Sequence, residues 1–329
     1  MRETGQAARA RAHASAQEPR RSPWGDLARR LLRKPGAVFG LAVLLLFSVT
    51  ALAAPRIAPH DPRQFGVGRQ YLPPAWVRHS RTGRAGEARF LLGTDTEGRD
   101  LFSRLLYGTR ASMVVVLAAT PLVALAGVSV GLLAGCSSRQ IDNLVMRATD
   151  VFYAFPTIML YVLLMLILRR TAIGRWQNGL LTLVLALVAI GWVDLARLVR
   201  GRALVIKNAE YVQAARCVGA PERRIVVRHI LPNCLPTIVV WLTSALPRMI
   251  LVEAILGYVG VGIGAPAGGD TSFMVTSWGG LFLEGRLAIH THPVILIAPA
   301  VCVALVGVAF AFLGDALRDV LDPHMRALG

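Results

Sequence analysis

Arg248 and Glu253 stand inside a run, residues 235 to 257, that is otherwise apolar. A charge at the centre of a bilayer costs about 2.5–3.5 kcal/mol on insertion scales, so both side chains must face protein or water. That makes them candidates for the wall of a translocation path. Five residues apart, they share a helix face too poorly to pair. The competing expectation for Glu253 is a structural hydrogen bond near the membrane edge. Asp194 and Arg197, at i and i+3, read as a structural pair. His290 and His292 have a spacing that could touch a metal, but two histidines are a weak signal and a solvated turn is the simpler reading. Cys136, Cys217, Cys234 and Cys302 form no close pair in sequence. They read as reduced structural thiols, with neither a disulfide framework nor a metal site. A phosphate-cradling G-x-x-x-x-G-K-[ST] loop is excluded, because Lys34 precedes Pro35, Lys207 precedes Asn208, and there is no other lysine. No catalytic residue, metal or bound cofactor is therefore expected of this chain.

The elements that must position these groups are membrane helices. The 329 residues are 54% hydrophobic, too apolar for an ordinary soluble domain. Six windows are long enough to cross a bilayer: residues 37 to 54, 113 to 135, 151 to 168, 180 to 199, 235 to 257 and 294 to 313. Each must be helical, since backbone groups in lipid need internal partners. Pro121, Pro156, Pro247 and Pro299 interrupt four of the runs. The formal charge of +17 is almost all arginine. Basic residues that flank apolar runs point to loops held against anionic lipid, with no nucleic acid involved. With the N-terminus inside, the inner loops and tails carry 21 Lys and Arg against 14 outside. That bias places both termini in the cytoplasm. ALAAP at residues 51 to 55 has the small residues of a signal-peptidase site, but the apolar run before it is longer than a signal's, so an uncleaved first span is expected. Residues 1–22 read as a disordered cytoplasmic tail. Residues 23–111 comprise a short interfacial helix, the first span and an extracytoplasmic connection. Residues 112–329 form the remaining five-span core, with a cytoplasmic loop at 200–233.

That loop contains EYVQAARCVG, residues 210 to 219. Asn208 can cap a helix start, Glu210 suits the positive end of the dipole, and Gly219 can take the left-handed conformation that ends a helix. Tyr211, Ala215 and Val218 fall on one stripe, with Val212 and Ala214 beside it and Gln213 and Arg216 elsewhere. Ala214 and Ala215 would let a partner approach closely. Pro221 fits the first position of a second short helix with a basic face of Arg223, Arg224 and Arg228. His229 to Asn233 lead straight into the fifth run, so a push on the loop reaches the membrane. A helix resting on lipid would look similar from the physics alone.

EYVQAARCVGA followed by RHILPN resembles the signature loop of binding-protein-dependent ABC importer permeases. Its usual form has Glu-Ala-Ala, a Gly four residues later and a Leu-Pro about a dozen residues beyond. Here the alanines are Ala214 and Ala215, the glycine is Gly219 and the pair is Leu231 and Pro232; Gln213 and His229 depart from the pattern. LLGTDTEGRDLFSRLLYGTRAS (91 to 112), RATDVFYAFPTIML (147 to 160), ARLVRG (196 to 201), TSWGGLFLEGR (276 to 286) and LGDALRDVLDPHMR (313 to 326) are similar, in order, to the C-type permease of dipeptide, oligopeptide and nickel importers. The resemblance covers residues 22 to 326. VGIGAPAGGDTSFMVTSWG departs from the family's shorter, proline-richer link.

The resemblance implies an all-α membrane protein with the six-helix permease fold of type I ABC importers. It implies that Glu210, Tyr211, Gln213, Ala214, Ala215, Arg216, Gly219, Ala220 and Pro221 form a coupling helix and its exit, seated in a cytoplasmic ATPase. The implied partners are a homologous second permease, two ATPase subunits that use ATP and Mg, an extracytoplasmic solute-binding protein and membrane lipid. The location is the inner membrane of a bacterium and the cargo is peptides or similar solutes. The GTDTEGRDLFSR segment would lie outside, near the docked binding protein. The alternative is a self-contained secondary carrier or channel, which would need more intramembrane charge than this chain offers.

Overall fold

A computed structural model describes residues 23–77, 85–171, 174, 176–263 and 276–321. The expected tail at 1–22 and most of the divergent outer link lie outside the described residues. Ten helices carry the described fold: α1 Pro23–Leu32, α2 Pro35–Ile57, α3 Leu101–Cys136, α4 Arg139–Tyr153, α5 Thr157–Arg169, α6 Leu180–Lys207, α7 Glu210–Cys217, α8 Glu222–Val259, α9 Trp278–Ala288 and α10 Val294–Leu321. Five of them (α2, α3, α6, α8 and α10) are long and apolar enough to cross a membrane.

The third expected span differs. Its run divides at Ala154 to Pro156 into α4 and α5, bent by 86°. Proline forces the preceding residue out of the helical region, and here that breaks the helix outright. With the pair counted as one broken span, the total is the six expected. Arg200 fixes α4 across α6, its Nη2 donating to Asp142 Oδ2 at 2.7 Å while Nε reaches the other carboxylate oxygen. The boundary expected between residues 111 and 112 falls within α3, which is unbroken over 36 residues.

Helices that share no hydrophobic driving force in lipid need close approach instead. Gly127, Gly131 and Gly135, spaced by four, turn one face of α3 onto α6, where Leu195, Ala196, Val199 and Ala203 receive it. A Cβ at Gly131 would lie 2.6 Å from the Ala196 carbonyl oxygen, whereas one at Gly201 on α6 would meet nothing within 4 Å. Gly201→Ala is therefore expected to raise the stability of the purified chain by about 0.5–1 kcal/mol. Gly131→Ala is expected to lower it, and thermal unfolding of the pair in detergent measures both signs.

Candidate functional site

Residues 209–221 pack onto the loop-side ends of α6 and α8. Helix α7 starts after Ala209, whose backbone is extended (ψ 144°) and makes no side-chain cap. Asn208, expected from sequence to cap that start, does not. It ends α6, its Nδ2 donating to Leu204 O at 3.2 Å, because α6 runs on to Lys207 with Ala203 buried beneath it. At the other end Gly219 takes φ +79°. The Ala220 amide donates to Ala215 O at 3.1 Å and the Gly219 amide to Arg216 O at 2.9 Å, the paired closure that a left-handed glycine allows.

Val212 is the anchor. It is fully buried with Leu195, Val199, Ala203, Ile225, Ile230 and Cys234, in a cluster joining α6, α7 and α8. Tyr211 and Val218, 47% and 85% exposed, face away from it, with Ala214 exposed and Ala215 half-buried between them. The described residues leave this apolar face uncovered. Gln213 Nε2 donates to Lys207 O at 3.2 Å, a bond an ionised glutamate could not make. Arg216 forks onto Glu222, with Nε to Oε1 at 2.9 Å and Nη2 to Oε2 at 3.3 Å. That bridge closes α7 against the first turn of α8, where a carboxylate also suits the helix dipole. Glu210 is exposed.

Pro221 occupies the cap of α8 and not its first turn, with ψ 145°. The short second helix expected here runs without a break into the fifth span. Residues Val226–Ile230 form a π turn, and the Leu231 amide donates to Val226 O. The cause is Pro232, which cannot donate to Arg228 O and whose ring crowds that carbonyl. A wider turn relieves the clash, and Asn233 Nδ2 takes the His229 carbonyl at 2.6 Å. His229 in turn lies 6.2 Å, centroid to centroid, from Tyr211.

Beyond the junction a cavity of about 890 Å³ opens between α6, α8 and α10. Arg248 lines it, together with Arg202, Trp241, Ser244 and Arg318. Arg248 Nε donates to Ser244 O at 3.0 Å, and its guanidinium lies over the Trp241 ring at 5.7 Å. Asp194 and Arg197 do not pair with each other. Tyr153 OH donates to Asp194, while Arg197 bonds to Asp150 and lies over the Tyr153 ring at 3.9 Å. The bend between α4 and α5 is what presents Tyr153 to α6.

Glu253 is elsewhere. It is fully buried near the opposite end of α8, where Ser112 Oγ donates to Oε2 at 3.0 Å and the Gly279 amide to Oε1 at 3.2 Å. It does not line the cavity, so of these two intramembrane charges only Arg248 faces it. At this end the segment 91–104 closes on α9. Asp95 is completely buried and accepts from the Glu97 and Arg99 amides at 2.8 and 2.9 Å, from Arg99 Nε at 2.7 Å, and from Arg104. Arg104 Nη2 also donates to Glu284 Oε1 at 2.6 Å. Burial raises the Asp95 pKa, but the Arg104 and Arg99 guanidiniums outweigh it and hold the carboxyl below the ordinary range. Two of the quoted stretches, 91 to 112 and 276 to 286, are thus one structure. The sequence showed their charges without the pairing, because Arg104 and Glu284 are 180 residues apart. His292 stacks on Tyr71 at 4.6 Å.

Residues 127–327 match the family described as the binding-protein-dependent transport system inner membrane component, and residues 22–74 match the N-terminal TM domain of oligopeptide transport permease C. The dipeptide transport system permease protein DppC of Bacillus subtilis (strain 168) is 36% identical over 95% of this chain and 89% of its own length. The glutathione transport system permease protein GsiD of Pectobacterium atrosepticum is 33% identical over 93% of each. Among solved structures, the inward-facing MetNI methionine ABC transporter superposes with a TM-score of 0.51 at 21% identity, covering 65% of this chain and 95% of its own. With the apolar helices, the Gly219 closure and the π-turn junction all in place, the chain belongs to the binding-protein-dependent transport system inner membrane components, the permease subunits of ABC importers.

Proposed function

We propose that this chain is one of two homologous permease subunits of an ATP-driven importer of di- or oligopeptides in a bacterial inner membrane. Both termini and α7 face the cytoplasm, and α7 seats in one of two ATPase subunits. The observation that carries this reading is the uncovered face of Tyr211, Ala214, Ala215 and Val218 beside Val212, which locks the helix to two spans. A helix built to be pulled needs one face for its partner and one for its load. ATP and Mg act in the partner, while this chain moves the path. The relatives named for dipeptides and oligopeptides support peptides as cargo. An extracytoplasmic binding protein delivers them at the end that carries Asp95 and Glu284.

Co-purification tests the reading. The wild-type chain is expected to bring its ATPases with it, and Val218→Asp and Gly219→Asp to lose at least about tenfold of them, since each puts a charge into an apolar contact. A wild-type chain that purifies as a homo-oligomer without ATPase overturns the proposal. A periplasm-active reporter that works at Asn208 but not at Arg69 overturns the orientation.

A further inference from the structure

The cavity beside the junction is chemically one-sided. Arg202, Arg248 and Arg318 are among its lining residues, and among the described residues no carboxylate lines it. Arg248 is 55% exposed, and its nearest acid, Asp194, stands 3.9 Å away with one oxygen already held by Tyr153. Among the described residues Arg202 and Arg318 have no ion pair. Asp315 lies with Arg318 in the smaller neighbouring cavity, not in this one. A guanidinium in an apolar span needs water or an anion, and this one is held by Ser244 O and the Trp241 ring, with Nη1 3.9 Å from Asp194 Oδ2, too far for a hydrogen bond and so open to a closer ligand. The volume of about 890 Å³ suits a small peptide.

We propose that this groove binds the free carboxylate of the cargo, with Arg248 as the anchor and Arg202 and Arg318 completing the positive wall. The inference rests on the import reading and extends it. A terminal carboxylate is the one anionic group that every unmodified peptide carries whatever its side chains. Arginines that recognise it can pass many sequences while holding each at one end. Trp241 contacts the guanidinium from one side at 5.7 Å, and the planar fork of an arginine matches the two oxygens of a planar acid. A lipid headgroup phosphate offers similar oxygens, so the test separates the two sources.

The chain, purified with the membrane subunits and ATPases that accompany it and without binding protein, is placed in phosphatidylcholine nanodiscs. Radiolabelled trialanine is equilibrated with it in the absence of ATP. Saturable binding is expected, displaced by unlabelled trialanine but at least about tenfold less well by its C-terminal amide. Arg248→Gln is expected to weaken binding by about tenfold or more, and Arg248→Lys by less, because it keeps the charge and loses only the fork. Arg318→Gln provides a second variant, on another helix, should Arg248→Gln fail to fold. Equal displacement by acid and amide overturns the proposal. So does loss of binding in nanodiscs made with phosphatidylglycerol, which assigns the groove to lipid headgroups. Absent ATPases would sink the import reading while the acid-to-amide ratio can still be read. Present ATPases with equal displacement would sink the carboxylate site alone.

Discussion

Asp95→Asn is expected to cost about 3–5 kcal/mol of stability, the usual loss when one partner of a buried ion pair is removed. The carboxylate is completely buried, and Arg99 and Arg104 are 9% and 3% exposed. Asparagine keeps an oxygen for the Glu97 and Arg99 amides, so the turn survives. It removes the negative charge between two guanidiniums that water reaches little. Glu284→Gln is expected to cost less, because Glu284 is 21% exposed and water replaces part of its charge. Thermal unfolding of the purified variants ranks them, and a neutral Asp95→Asn would mean the knot is not formed. The acid limb gives a second readout. Because the folded pKa of Asp95 lies below its unfolded value, its contribution is fully present above the ordinary carboxylate pKa of about 4 and lost as the pH falls through the lower folded value. Asp95→Asn should flatten that part of the pH–stability curve.

Gly257→Leu is expected to abolish recovery of folded chain, and even Gly257→Ala to cost about 3 kcal/mol, the upper end of overpacking. A Cβ at Gly257 would sit 2.2 Å from the Cα and carbonyl carbon of Gly279. Both are backbone atoms, so no rotamer change relieves the clash and α8 must part from α9. Parting them breaks the bond from the Gly279 amide to Glu253 and leaves a buried carboxylate short of a donor, so the cost exceeds that of volume alone. The measurement is the monodisperse yield and melting temperature against Gly201→Ala, whose site is open. A Gly257→Ala chain as stable as the wild type would show that the helices do not cross this tightly.

The spans were legible because 20-residue apolar runs have few competing explanations. The bend was not, since Pro156 in an apolar run can kink a helix mildly or end it, and the deciding feature is the polar face of α4, with Asp142 held by Arg200. Gly219 could be read in sequence because few residues other than glycine close a helix at φ +79°. Asn208 could not, because it is polar enough to end one helix or start the next, and only the packing of Ala203 decides how far α6 runs. The fate of Arg248 and Glu253 was equally hidden. Both are charges in one apolar helix, and what separates them is Ser112 and Gly279, supplied by segments far away in sequence. The Gly127, Gly131 and Gly135 spacing was there to be read as a helix-contact signal.

The π turn at Val226–Ile230 has a geometric consequence. It accommodates one residue more than a regular helix would, and one residue corresponds to about 100° of rotation. The turn therefore sets the angular phase between α7's buried anchor and the side of α8 that bears Trp241 and Arg248. The same residues wound there as a regular α turn would keep the chain's hydrophobicity, its charges and its loop, yet its arginine would point about a quarter turn away from the groove.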